Sequence, residues 1–166
     1  MNIFLKNFLL KMFSSLEKII LNSAAIINPN LVKLASDNYG SQSIAISLNI
    51  KKNLFWSGFK VLSSSMKNEL KGDLSDTLSK FEDLGAGEII VNSIDNDGLM
   101  SGVDMELIKL SSDKLSIPLV YVGGVGCKED IFKSKEAGAS ATGVGSFFVY
   151  KGPRKAVLIS YSNPTE

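Results

Sequence analysis

The sequence predicts an α/β protein with a parallel sheet built from repeated βα units, of the barrel kind rather than the open doubly wound kind. The run Gly85-Ala86-Gly87-Glu88-Ile89-Ile90-Val91-Asn92-Ser93-Ile94-Asp95-Asn96-Asp97-Gly98 leads an apolar strand straight into a Ser-x-Asp-x-Asp-Gly turn. Further on, Ile117-Pro118-Leu119-Val120-Tyr121-Val122-Gly123-Gly124-Val125-Gly126 repeats the plan with glycines in place of carboxylates. Strand, polar or glycine-rich turn, helix and strand is the order of a parallel α/β sheet, whose ligands bind at the carboxyl ends of its strands. The βα spacing is even, and Gly124-Val125-Gly126 lacks the third glycine of the dinucleotide fingerprint, which favours the barrel. A complete (βα)8 barrel takes about 200 residues or more, so this chain is expected to form part of one.

The elements follow in order. Phe4, Phe8 and Met12 with Leu5 and Leu9 fall at helical spacing, so residues 3–15 read as an amphipathic helix. That helix faces either a core or a membrane surface. Residues 18–23 read as a buried strand with a polar end, and Asn28-Pro29 opens a helix with Asn28 as N-cap, running to Tyr39 and stopped by Gly40. Residues 43–50 are the next strand. Residues 51–72 form a long loop or hairpin over the site face, with Leu54-Phe55-Trp56 and Phe59-Lys60-Val61-Leu62 as its arms. Asp73 caps a helix to Leu84, ended by Gly85. Residues 88–94, 118–122 and 141–144 are strands, and 104–115 and 128–137 are helices, the last ended by Gly138. This makes a single domain over residues 1–166, with five strands and four linking helices after the first helix.

Composition narrows the chemistry. The 166 residues are 45% hydrophobic, enough for a globular core. The 18 basic and 17 acidic residues are interspersed, so nothing points to a nucleic-acid partner. No apolar run approaches the length of a membrane span. There is no histidine, which removes histidine-based nucleophilic pairs, histidine metal clusters and the commonest general base. No metal site or cofactor is expected. The single cysteine, Cys127, excludes an internal disulfide and suits the cytoplasm. It reads as a small filler residue rather than a reactive thiol, which would want a cationic neighbour.

Candidate site residues collect at the strand ends: Asn22-Ser23, Asn49, Asp95 and Asp97-Gly98, Gly123-Gly124, and Gly145-Ser146. Backbone N–H groups in the glycine-rich turns Gly123-Gly124 and Gly145-Ser146 suit a phosphate, or these residues merely make tight turns. Asp95 and Asp97 are two apart and would share one strand face. Asp97 before Gly98 is either a general acid–base group or a turn former. Lys51-Lys52 reads as a solvated face.

Residues 92–98 with Gly102-x-Asp104 resemble the sixth-strand signature of the imidazole glycerol phosphate synthase cyclase subunit family. Leu21-Asn22-Ser23-Ala24-Ala25, Gly40-Ser41-Gln42-Ser43, Gly123-Gly124-x-Gly126 and Glu136-Ala137-Gly138-Ala139 fall in that family's order and spacing. The resemblance covers about residues 8–150. The segment from Gly145 to Ile159 is closer to a paralogous branch found with surface-polysaccharide sugar-amidation enzymes.

This resemblance implies a (βα)8 barrel that takes ammonia from a glutamine amidotransferase partner. With it the family cleaves and cyclises a phosphorylated ribulosyl-aminoimidazole nucleotide to imidazole glycerol phosphate, in histidine biosynthesis. It implies further that this chain starts in the third helix and holds strands four to eight. Such a piece would expose sheet edges through which it self-associates, and would be impaired on its own. The family's strand-one aspartate has no counterpart here. Its strand-five aspartate aligns with Asn49, whose amide cannot exchange a proton as a carboxylate does. Asp97, Gly98, Gly124, Gly145 and Ser146 match the second phosphate site, beside Gly123, while Asn22 and Ser23 match half of the first. Val122 stands where the family usually has a small polar residue. The alternatives are a non-catalytic phosphate-binding or assembly module, the sugar-amidation paralogue, or another phosphate-binding enzyme that uses Asp97 alone.

Overall fold

The computed structural model describes residues 17–53, 58–63, 72–151 and 156–157. The helix expected over 3–15 and the Leu54-Phe55-Trp56 arm lie outside these residues. The strands are β1 (Ile19–Leu21), β2 (Ile44–Lys52), β3 (Phe59–Leu62), β4 (Glu88–Ser93), β5 (Leu119–Val122) and β6 (Ala141–Gly143). Five of them run parallel in the order β1-β2-β4-β5-β6, and β3 pairs antiparallel with the end of β2. Among the described residues this sheet does not close, and β1 and β6 are its edges. An all-parallel order in chain sequence, with a helical crossover between neighbours, is the arrangement of an arc of a (βα)8 barrel.

The crossovers are α1 (Ser23–Ile27), α2 (Asn30–Tyr39), α3 (Leu74–Asp83), α4 (Met105–Lys114) and α5 (Lys128–Glu136). A short helix, α6 (Ser146–Val149), and a two-stranded ribbon, β7 (Tyr150–Lys151) with β8 (Ala156–Val157), follow β6. No helix among the described residues is long and apolar enough to cross a membrane.

Strand alternation divides the sheet into two faces. Ile44, Ile46, Leu48 and Ile50 of β2, Ile89 and Val91 of β4, and Leu119 and Tyr121 of β5 are buried on one face. They form a core with Leu74, Leu78 and Phe81 of α3 and Leu107 and Ile108 of α4. The other face carries Ser47, Asn49, Ile90, Asn92, Val120 and Val122, all partly covered. Ile20 of β1 on that face is 59% exposed.

Local chemistry sets the helix starts. The Asp73 carboxylate accepts the Leu74 N–H at 2.8 Å, and the Asp104 carboxylate accepts the Leu107 N–H at 3.0 Å. Three expectations are corrected. Helix α1 precedes α2, and Pro29 rather than Asn28 stands at the N-terminal boundary of α2, because Asn28 ends the preceding turn by donating its N–H to Ala24. The first arm of the hairpin is β2 itself, with Asn49 opposite Leu62 and Lys52 opposite Phe59. Burial of Phe59 and Val61 holds that extension in place. Finally, β4 ends at Ser93, so Asp95 and Asp97 lie in the turn beyond it and do not share a strand face.

Candidate functional site

The turns after β4, β5 and β6 enclose a cavity of about 290 Å³ at the carboxyl end of the sheet. Its lining brings together Asp97, Gly98, Gly123, Gly124, Gly145 and Ser146, with Met100, Val122 and Gly143 among the neighbours. Parallel strands emerging side by side put their outgoing turns next to one another, which is why residues so far apart in sequence meet here. Asp97 is exposed and Ser146 partly so. Among the described residues no lysine or arginine is part of the lining, so an anion there would meet backbone N–H groups and a hydroxyl beside the Asp97 carboxylate.

Gly123 and Gly124 are required by space as well as by shape. Gly124 has φ +81, and a Cβ on it would stand 2.1 Å from the carbonyl oxygen of Gly102. The Gly102 N–H in turn donates to the Gly124 carbonyl at 2.9 Å, which docks the turn after β4 on the turn after β5.

Asn22, Ser23 and Asn49 do not line this cavity. Asn22 and Ser23 sit where β1 meets α1; the Ser23 hydroxyl donates to the Asn22 side-chain oxygen at 3.3 Å, and the Asn22 amide reaches Ser47 at 3.5 Å. Asn49 lies on β2, where it accepts the Asn92 side-chain N–H at 3.3 Å. The register places Asn49 beside Asn92, Asn92 beside Val122, and Val122 beside Gly143. One row thus runs across the sheet from Asn49 to the cavity wall.

Asn92 is the residue that sequence reasoning left without a role. Its Oδ1 is buried with no hydrogen-bond partner among the described residues. A polar residue at the end of an otherwise apolar strand was the available signal, and its pairing with Asn49 is visible only once the two strands are in register.

The remaining charges are structural. Asp95 accepts the Lys52 backbone N–H at 2.7 Å, tying the turn after β4 to the end of β2. The Lys52 ammonium pairs with Glu106 at 2.6 Å, and that hydrogen bond and charge hold its pKa above the ordinary value. Burial pushes the Cys127 thiol up, away from the thiolate that reactivity needs. Asp130 accepts the Gly126 N–H at 2.9 Å and the Cys127 N–H at 3.2 Å, closing the start of α5.

Known proteins share this sequence pattern. The family described as "Histidine biosynthesis protein" matches residues 8–153. A putative imidazole glycerol phosphate synthase subunit of Vibrio vulnificus (strain YJ016) is 40% identical over 90% of this chain and 58% of its own length. A putative subunit HisF of the same synthase from Leptospira borgpetersenii is 39% identical over 90% of this chain and 59% of its own. The imidazole glycerol phosphate synthase subunit HisF of Lachnoclostridium phytofermentans is 35% identical over 89% of this chain and 57% of its own. The chain therefore spans less than two thirds of the length of the curated relatives it matches.

Proposed function

This chain belongs to the histidine biosynthesis protein family, and on that premise we propose that it forms the phosphate-binding side of a cyclase of the imidazole glycerol phosphate synthase type. The observation that carries the proposal is the gathering of Asp97, Gly98, Gly123, Gly124, Gly145 and Ser146 around one cavity at the carboxyl end of the sheet. The phosphate of a small substrate would sit against the N–H groups of these turns, with the Ser146 hydroxyl as a further donor. Asp97, exposed at the cavity, would give or take the proton as the ring closes. Asn49, at the far end of the row, holds a ligand by hydrogen bonding but moves no proton, so position 49 supplies no acid–base group and cyclisation is slow. Ammonia would come from a partner subunit of the glutamine amidotransferase type; that the relatives are each named as one subunit of a synthase fits such a partner. The sugar-amidation paralogue is the second reading; it rests on the sequence of the segment from Gly145 to Ile159, whose Gly145 and Ser146 line the cavity.

The test is Asp97→Asn, assayed for glycerol phosphate binding by calorimetry and for cyclisation with an ammonium salt. Binding within about threefold of wild type with turnover lowered about 10²–10⁴-fold is the expected result. Unchanged turnover would remove Asp97 from the chemistry.

A further inference from the structure

Tyr121 is a fully buried side chain on the helix-covered face of β5, and it carries a hydroxyl into an otherwise apolar core. That hydroxyl accepts the Asp104 backbone N–H at 2.9 Å. Burial pushes its pKa up, and the Asp104 N–H works against that. The Asn96 amide reaches the Gly102 carbonyl within the same segment at 3.5 Å. Ser93 ends β4, Asn96 lies in the turn that follows, and Asp104 caps α4. One phenol therefore ties the far end of the segment that carries Asp97 and Gly98 to the buried face of β5.

The segment needs holding. Met100 has φ 58, a left-handed conformation uncommon for a side chain of its kind. It packs so closely on the next turn that a Cβ on Gly126 would stand 2.4 Å from the Met100 carbonyl oxygen. Strained backbone of this sort persists only where its surroundings over-determine it.

We propose that Tyr121 is the positioning residue of segment 94–104, its hydroxyl fixing the shape that sets Asp97 and Gly98 on the cavity. What the cavity takes rests on the phosphate proposal above; the hold on the segment does not. Tyr121→Phe deletes one oxygen and keeps the ring. In the full chain, amide hydrogen exchange is followed residue by residue, with and without inorganic phosphate. Exchange at Gly102 and Asp104 should quicken at least tenfold in the variant while Leu48 and Val91 in the strands stay unchanged, a pattern that general destabilisation does not give. Phosphate-induced shifts at Gly98 should weaken several-fold. Unchanged exchange across 94–104 overturns the proposal. Quickened exchange in the variant, with no phosphate shifts in wild type, keeps Tyr121's role and removes the phosphate proposal. If Tyr121→Phe fails to fold, the wild-type chain still decides the matter: the Asp104 amide, whose acceptor is the Tyr121 hydroxyl, should exchange slowly, and exchange as fast as at an exposed amide counts equally against the proposal.

Discussion

Gly102 and Gly124 clasp each other across two turns: the Gly102 N–H donates to the Gly124 carbonyl at 2.9 Å, and a Cβ on Gly124 would stand 2.1 Å from the Gly102 carbonyl oxygen. The contact is backbone on both sides, so no side chain can swing away to relieve it. Gly124→Ala should therefore push the turn after β4 off the turn after β5 and distort the cavity between them. A loss of about 1–3 kcal/mol is expected, from the strained φ and the forced contact. Chemical denaturation measures it, and full stability in the alanine variant would show that the two turns are not locked together.

Asn49 and Asn92 form the polar end of the row that leads to the cavity. Asn49→Asp supplies a carboxylate there, still able to accept the Asn92 N–H. With an amidotransferase partner or an ammonium salt as nitrogen source, the aspartate variant should cyclise about 10²–10⁴-fold faster than wild type. Equal rates in the two proteins would mean that position 49 is not where the proton-transfer group is missing.

Asp130 makes stability depend on acid. Burial opposes its charge, but the Gly126 N–H, the Cys127 thiol and N–H, and Lys133 overcome that and hold its carboxyl below the usual range. A carboxyl lowered in the folded state stabilises fully above its unfolded value of about 3.9, and this is lost as the pH falls through the lower folded value. Asp130→Asn should then be about 1 kcal/mol less stable than wild type at pH 7, since it weakens the cap of α5. The gap should close as the pH drops below about 4. Denaturant midpoints of both proteins from pH 7 to pH 2 give the comparison, and a constant gap would show that Asp130 acts without its charge.

The parts of this fold that sequence reveals are those decided locally. The apolar runs of β2, β4 and β5, and the cap Asp73, each depend on residues a few positions apart. What escaped depends on partners far away in the chain. Phe59–Leu62 was legible as a hairpin arm, but its partner, the end of β2, was not. Asp95 turned out to tie down Lys52, 43 residues distant, while Asp97 faces the cavity. Tyr121 reads as one more apolar strand residue, and its hydroxyl finds Asp104 from 17 residues away. The glycines of the cavity were legible because their spacing is a property of the chain itself. The pairing of Asn49 with Asn92 is a property of the sheet.

The most direct test of the central claim is a titration of the full chain with glycerol phosphate, followed by backbone amide resonances. Saturable shifts concentrated at Gly98, Gly124, Gly145 and Ser146, weakened in Ser146→Ala, are the predicted result. Shifts that never saturate, or that fall on surface lysines while those four amides stay still, would contradict a phosphate-binding cavity.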